Sequence, residues 1–132
     1  MFIHYLGPIK EVSGISLNQQ GLYTSKDATV ANWLHESGIT GSGSWNFGSF
    51  EREDIVEIYG SEGKIMFSVF ENIPLTLKTA TGESTHDIPH PENIQLHHVE
   101  QMRDHLLGSS KHPSNAFTAA HTSWVMDQII GN

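Results

Sequence analysis

The sequence predicts an α+β domain: an open, mostly antiparallel sheet of six or seven strands with two C-terminal helices packed on one face. Three observations predict it. Residues 9 to about 89 alternate apolar and polar with a period of two. Short glycine-bearing turns separate the alternating runs, and turns that short join antiparallel neighbours. After Pro91 the period changes to three and four, the spacing of a helix face. Strands first and helices last are the pattern of a sheet with helices segregated to one face.

Each element has its own warrant. Met1 to Leu6 reads as the last turn and a half of a helix, stopped by Gly7 and Pro8. A domain that opens in mid-helix suggests further chain upstream. Glu11 to Gln19 alternates, with Val12, Gly14 and Ser16 on one side and Ser13, Ile15 and Leu17 on the other. Gly21 to Lys26 is turn-rich. Ala28 to His35 alternates again, and Glu36-Ser37-Gly38 is a tight hairpin turn. In Ile39 to Phe47, the positions Ile39, Gly41, Gly43, Trp45 and Phe47 share a face. Glycines there leave room for a bulky ring, for which Trp124 and Phe117 are the candidates.

Asp54 to Tyr59, Lys64 to Phe70, Pro74 to Thr79 and Glu83 to Ile88 complete the strands. Gly60-Ser61-Glu62-Gly63 and Thr81-Gly82 are the turns between them. Leu96, Val99, Met102 and Leu106 then mark one face of a helix closed by Gly108. Pro113-Ser114 starts a second helix with Ser114 as its N-cap. Its apolar stripe is Phe117, Ala120, Trp124, Val125 and Ile129. Trp45 and Trp124 are both expected to be buried between sheet and helices.

The 132 residues are the size of one domain. Seven Lys and Arg against 15 Asp and Glu leave a net charge of −8. An acidic surface disfavours nucleic acid and anionic membrane, both polyanions. The absence of Cys excludes disulfides, thiolate nucleophiles and Cys-ligated zinc, and fits a reducing, cytoplasmic setting. No apolar run approaches the roughly 20 residues of a membrane span. The N-terminus lacks the basic start and cleavage site of a signal peptide.

Nine His raise the question of a metal. His86 and His90 are separated by Pro89 and so do not share a helix face. His98 and His105 share one but stand about 10 Å apart along it. No carboxylate completes a metal set, so the expectation is no metal. Gly41-Ser42-Gly43-Ser44-Trp45-Asn46 falls short of a dinucleotide fingerprint. Asn46 stands where a third Gly belongs, and no helix follows to hold a pyrophosphate. Ser84-Thr85-His86-Asp87 holds the residue types of a hydrolase triad, but neighbours on a strand point to opposite faces. No catalytic or cofactor-binding residue is expected in the chain.

The order of the segments is similar to a known family. Gly7-Pro8-Ile9-Lys10-Glu11-Val12-Ser13-Gly14 resembles the lead-in to the C-terminal sheet of Gfo/Idh/MocA-type oxidoreductases. So do Asp27-Ala28-Thr29-Val30, Gly41 to Phe47 and, most strongly, Ile58-Tyr59-Gly60-Ser61-Glu62-Gly63-Lys64-Ile65. His98-Val99-Glu100-Gln101 and Ala119 to Ile129 close the match, which covers nearly the whole chain.

The resemblance implies a C-terminal domain whose parent holds NAD or NADP on an N-terminal Rossmann domain. It also implies a Lys in a Glu-Lys-Pro motif, and an Asp and a His on a helix just before this chain. Neither Lys10 nor Lys26 lies in such a motif, and His4 falls after the place where the helix motif ends. The chain would therefore supply the sheet backing the substrate site, self-associate through the open sheet face, pair with its Rossmann domain, and be inactive alone. Tyr23 and Lys26, in the loop between the first two strands, are the candidate substrate-pocket residues. The rival expectation is a free-standing module that dimerises through the same face and has no catalytic role.

Overall fold

The computed structural model describes residues 2–131. It contains a short helix α1 (Phe2–Leu6), then strands β1 (Ile9–Leu17), β2 (Ala28–His35), β3 (Thr40–Asn46), β4 (Val56–Tyr59), β5 (Gly63–Phe67), β6 (Leu75–Thr79) and β7 (Gly82–His86). Helices α2 (Leu96–Leu106) and α3 (Ala116–Ile130) follow. The α+β class, the antiparallel pairing and the order of elements are those expected. The strands, however, form two sheets, β1-β2-β3 and β4-β5-β6-β7, in place of one open sheet of six or seven. The break lies after Asn46. Its side-chain oxygen accepts from the Gly48 N–H at 2.8 Å, and the Ser49 hydroxyl donates to its carbonyl at 3.3 Å. This local turn, followed by the charged run Glu51-Arg52-Glu53-Asp54, takes the backbone out of the ladder.

The chain divides into two compact units. One comprises the described residues up to Phe50 and from Lys111 onward; the other is Glu51–Ser110. In the first unit, Val12 stands opposite Trp33 and Gly14 opposite Ala31, while Trp33 in turn faces Gly41 on β3. An irregularity in the register between Ile9 and Glu11 lets both Ile9 and Val12 serve the inner face. The core is Ile9, Ala31, Trp33 and Val125, with Phe2, Ile3, Val12 and Ile129 packed against it. α3 packs on β1 and, to a smaller extent, β2. The helix comes so close that a Cβ on Gly14 would stand 2.5 Å from the Ile129 carbonyl oxygen.

Three expectations about this packing are corrected. The tryptophan in the core is Trp33, 9% exposed, whereas Trp45 and Trp124 keep 45% and 39% of their surface. Trp33 is favoured because its cross-strand partner is glycine: a Cβ on Gly41 would lie 2.3 Å from the indole. The room at Gly41 and Gly43 is thus filled by Trp33 and Trp45, and Phe117 is exposed. The seated line of α3 is His121, Val125 and Ile129, so Trp124 falls at its edge. The N-cap of α3 is Asn115, one residue after the expected Ser114. Its side chain accepts from the N–H groups of Phe117 and Thr118, and Thr118 returns a bond to the Asn115 N–H, a complete capping box.

The second unit is a four-stranded meander followed by α2. The Gly60 N–H donates to the Gly63 carbonyl at 2.8 Å, closing the expected turn. Register puts Val56, Ile58, Ile65, Phe67, Leu75 and Leu77 on one face. Glu57, Tyr59, Lys64, Met66, Thr76 and Lys78 take the other. None of the described residues of this unit is fully buried. The expected packing of two helices on a sheet holds for α3. It does not hold for α2, whose stripe Leu96, Val99, Met102 and Leu106 is exposed. The stripe has the right period, but burial needs a facing surface as well.

Candidate functional site

The loop carrying Tyr23 and Lys26 runs from the end of β1 to the start of β2 and is tied down from within. Asp27, 1% exposed, accepts from the Gln19 and Gln20 N–H groups at 2.7 and 3.0 Å, one on each carboxylate oxygen. Backbone bonds from the Asp27 N–H to Leu17 and from the Phe47 N–H to Asp27 fix the same corner to β1 and β3. The Asn18 side chain accepts from the Gly21 N–H at 2.8 Å and donates to the Tyr23 carbonyl. The loop is therefore a built structure with Asp27 at its root. A buried acid at a strand's start was visible in the sequence only as part of a family resemblance.

The two candidate residues have different settings. The Lys26 ammonium donates to the carbonyl of Ile130 in the last turn of α3, where a cation complements the helix dipole. Tyr23 has half of its surface exposed. On the outer face of the three-stranded sheet lies a shallow hollow of about 570 Å³, with Glu11, Ser13, Asn32 and Ser42 among its lining. Neither Tyr23 nor Lys26 lines it. The hollow offers neutral donors and acceptors beside a single acid, which suits hydrogen bonding to a polar group but supplies no nucleophile–base pair.

The other sequence candidates do not come together as complete sets among the described residues. Among the described residues, no three His, Asp or Glu side chains come together as a metal site. Ser84 and His86 meet on β7 at 3.3 Å, on exposed strand positions. Two residues apart on a strand share a face, and Asp87, one further on, does not. The stretch Gly41 to Asn46 is strand β3, without a helix N-terminus after it.

The displaced titrations belong to the second unit and are structural. Asp54 accepts from the Ser68 hydroxyl and from the N–H groups of Phe70 and Val69, at 2.6 and 2.9 Å for the backbone pair. The Ser68 bond first, then Phe70, holds its carboxyl below the usual range. The Lys64 hydrogen bond, and after it that of Tyr59, lowers Glu57, and Glu57 raises Lys64 in return.

Comparison with known proteins shows what the fold resembles. No family model matches the chain. An oxidoreductase of Formosa agariphila is 27% identical over 131 residues, which is 99% of this chain and 40% of that protein. An Agrobacterium radiobacter oxidoreductase solved with NAD+, L-tartaric acid and magnesium superposes with a TM-score of 0.80 at 15% identity. The match covers 96% of this chain and 41% of that one. A Synechocystis biliverdin reductase, solved with biliverdin and NADP+, gives 0.76 at 15% identity over 99% and 43%.

The fold is thus that of one part of Gfo/Idh/MocA-type oxidoreductases, as the sequence resemblance implied. The chain spans about two-fifths of the length of the relatives it matches.

Proposed function

We propose that the chain serves as the C-terminal domain of an NAD(P)-dependent oxidoreductase. It would back the substrate site with its sheet and associate with copies of itself. What carries this reading is the coverage: 99% of the chain aligns with 40% of an oxidoreductase. In this reading NAD or NADP sits on the complementary part, and hydride transfer needs both. The tied loop at Asp27 and the polar outer face of the β1-β2-β3 sheet border the substrate, with Tyr23 the more exposed of the two loop candidates. Self-association uses the apolar face of the β4–β7 sheet, and the setting is the cytoplasm. No helix among the described residues is long and apolar enough to cross a membrane.

Calorimetric titration of the 132-residue chain with NAD and with NADP tests the reading. The expected result is no saturable heat at concentrations where dehydrogenases bind. Adding a Glu-Lys-Pro-bearing Rossmann domain encoded by the adjoining reading frame is expected to create a stoichiometric site. A micromolar site on this chain alone, or a neighbouring frame without such a domain, overturns the reading.

A further inference from the structure

We propose that His35 and His121 form a protonation-sensitive clasp on the junction between α1 and β1. The junction is Gly7 and Pro8, and these two and the residue on either side of them are each fastened from outside. The Leu6 carbonyl accepts from the Ser37 hydroxyl at 3.2 Å, and the Gly7 carbonyl from His35 Nδ1 at 2.7 Å. The Pro8 carbonyl accepts from the Glu36 N–H at 2.9 Å, and the Ile9 N–H donates to His121 Nε2 at 3.0 Å. Pro8 has no N–H, and Gly7 sits at φ +87°, so these two residues continue neither α1 nor β1.

The partners fix the chemical state of both rings. An amide N–H can only donate, so His121 Nε2 carries the lone pair and Nδ1 the proton. A carbonyl can only accept, so His35 Nδ1 carries the proton. The His35 ring is fully buried, and its Nε2 has no hydrogen-bond partner among the described residues. In the clasp both rings carry a proton on Nδ1. A second proton on His121 would set N–H against the Ile9 N–H. On His35 it would place a cationic N–H where no acceptor stands.

The surrounding charges do not offset this. α1 carries His4 and Tyr5, β1 carries Lys10 and Glu11, Glu36 follows β2 and Asp127 lies on α3. Among the described residues none of these acids forms an ion pair with either imidazole, and Lys10 is 3.8 Å from Glu11. The Trp124 ring, stacked on His121 at 5.4 Å, favours a cation there. A doubly protonated ring still has no atom left to accept from Ile9. Acidification therefore opens the clasp and loosens α1, whose Phe2 packs on Trp33 at 5.7 Å.

Nitrogen-15 NMR of the histidine side chains in the 132-residue chain, near pH 7.5, is expected to show Nδ1–H on both rings. On lowering the pH to about 5, the range over which histidines titrate, exchange protection of the Ile9 and Glu36 amides is expected to fall. The expected drop is at least roughly tenfold relative to the Gly60 amide, after correction for intrinsic rates. The double variant His35→Gln, His121→Gln keeps a donor for Gly7 and an acceptor for Ile9 but cannot gain a proton; its protection is expected to hold at the lower pH. An Nε2–H tautomer on either ring, no loss in the wild type, or an equal loss in the variant overturns the clasp. Should the variant not fold, the wild-type tautomers and exchange decide by themselves.

Discussion

At the scale of single residues, a side chain's fate followed from what stood opposite it. Trp33 and Trp45 lie on the same inner face, but only Trp33 both faces a glycine across the ladder and lies within the core cluster. Trp33→Ala is expected to cost about 3–5 kcal/mol. Trp124→Ala should cost less than half of that, both read from denaturant midpoints. Equal losses would mean that α3 seats the wrong edge. Asp54 gives a prediction in pH. Its folded carboxyl titrates below the ordinary value because Ser68, Phe70 and Val69 donate to the charged form. Its contribution is therefore complete above the ordinary carboxylate range and is lost as the pH falls through the depressed value. The melting-temperature gap between wild type and Asp54→Asn should be widest near neutrality and close on acidification below about pH 4. A gap that widens in acid would refute the assigned bonds.

At the scale of elements, period predicted existence well and orientation less well. The expected α3 stripe was Phe117, Ala120, Trp124, Val125 and Ile129; Val125 and Ile129 are seated as expected, but the residue in line with them is His121 in place of Ala120 and Trp124. The shift is one residue, about 100° around the helix. It arises because a hydropathy reading counts His121 as polar, while its ring nitrogen accepts the Ile9 N–H and its face stacks on Trp124. The cap moved likewise. Ser114 and Asn115 are both good capping types, but only Asn115 has Thr118 three residues on to complete the box. Asn115→Ala should lower stability by about 1 kcal/mol. Ser114→Ala should be nearly neutral by thermal denaturation, and the reverse ranking would restore the Ser114 cap. α2 shows the limit of period: its stripe is regular and unburied.

At the scale of the whole molecule, the β4–β7 unit has an apolar face and no fully buried residue among those described. A sheet with such a face gains by covering it. The proposed cover is the same face of a second copy, as symmetric association provides. Sedimentation equilibrium should then show a dimer at concentrations on the order of tens of micromolar, and Phe67→Asp should return the 14.7 kDa monomer. A wild type that stays monomeric throughout that range removes the proposal. The net charge of −8 opposes association, but screening limits its reach to about 8 Å at physiological salt. By itself the sequence determined the α+β class, the hairpins at Gly38, Gly60–Gly63 and Gly82, and the two C-terminal helices. It also carried the resemblance to oxidoreductase domains. Those features rest on local period, turn chemistry and segment order, all written along the chain. Only the tertiary structure decided that the strands split into two sheets, that Trp33 is the buried indole, that Asp27 roots the loop, and that two histidines hold the α1–β1 junction. The histidine contacts and the seating of α3 depend on partners distant in sequence: Ile9 on His121, Gly14 on Ile129, Lys26 on Ile130. No window along the chain contains both members of such a pair.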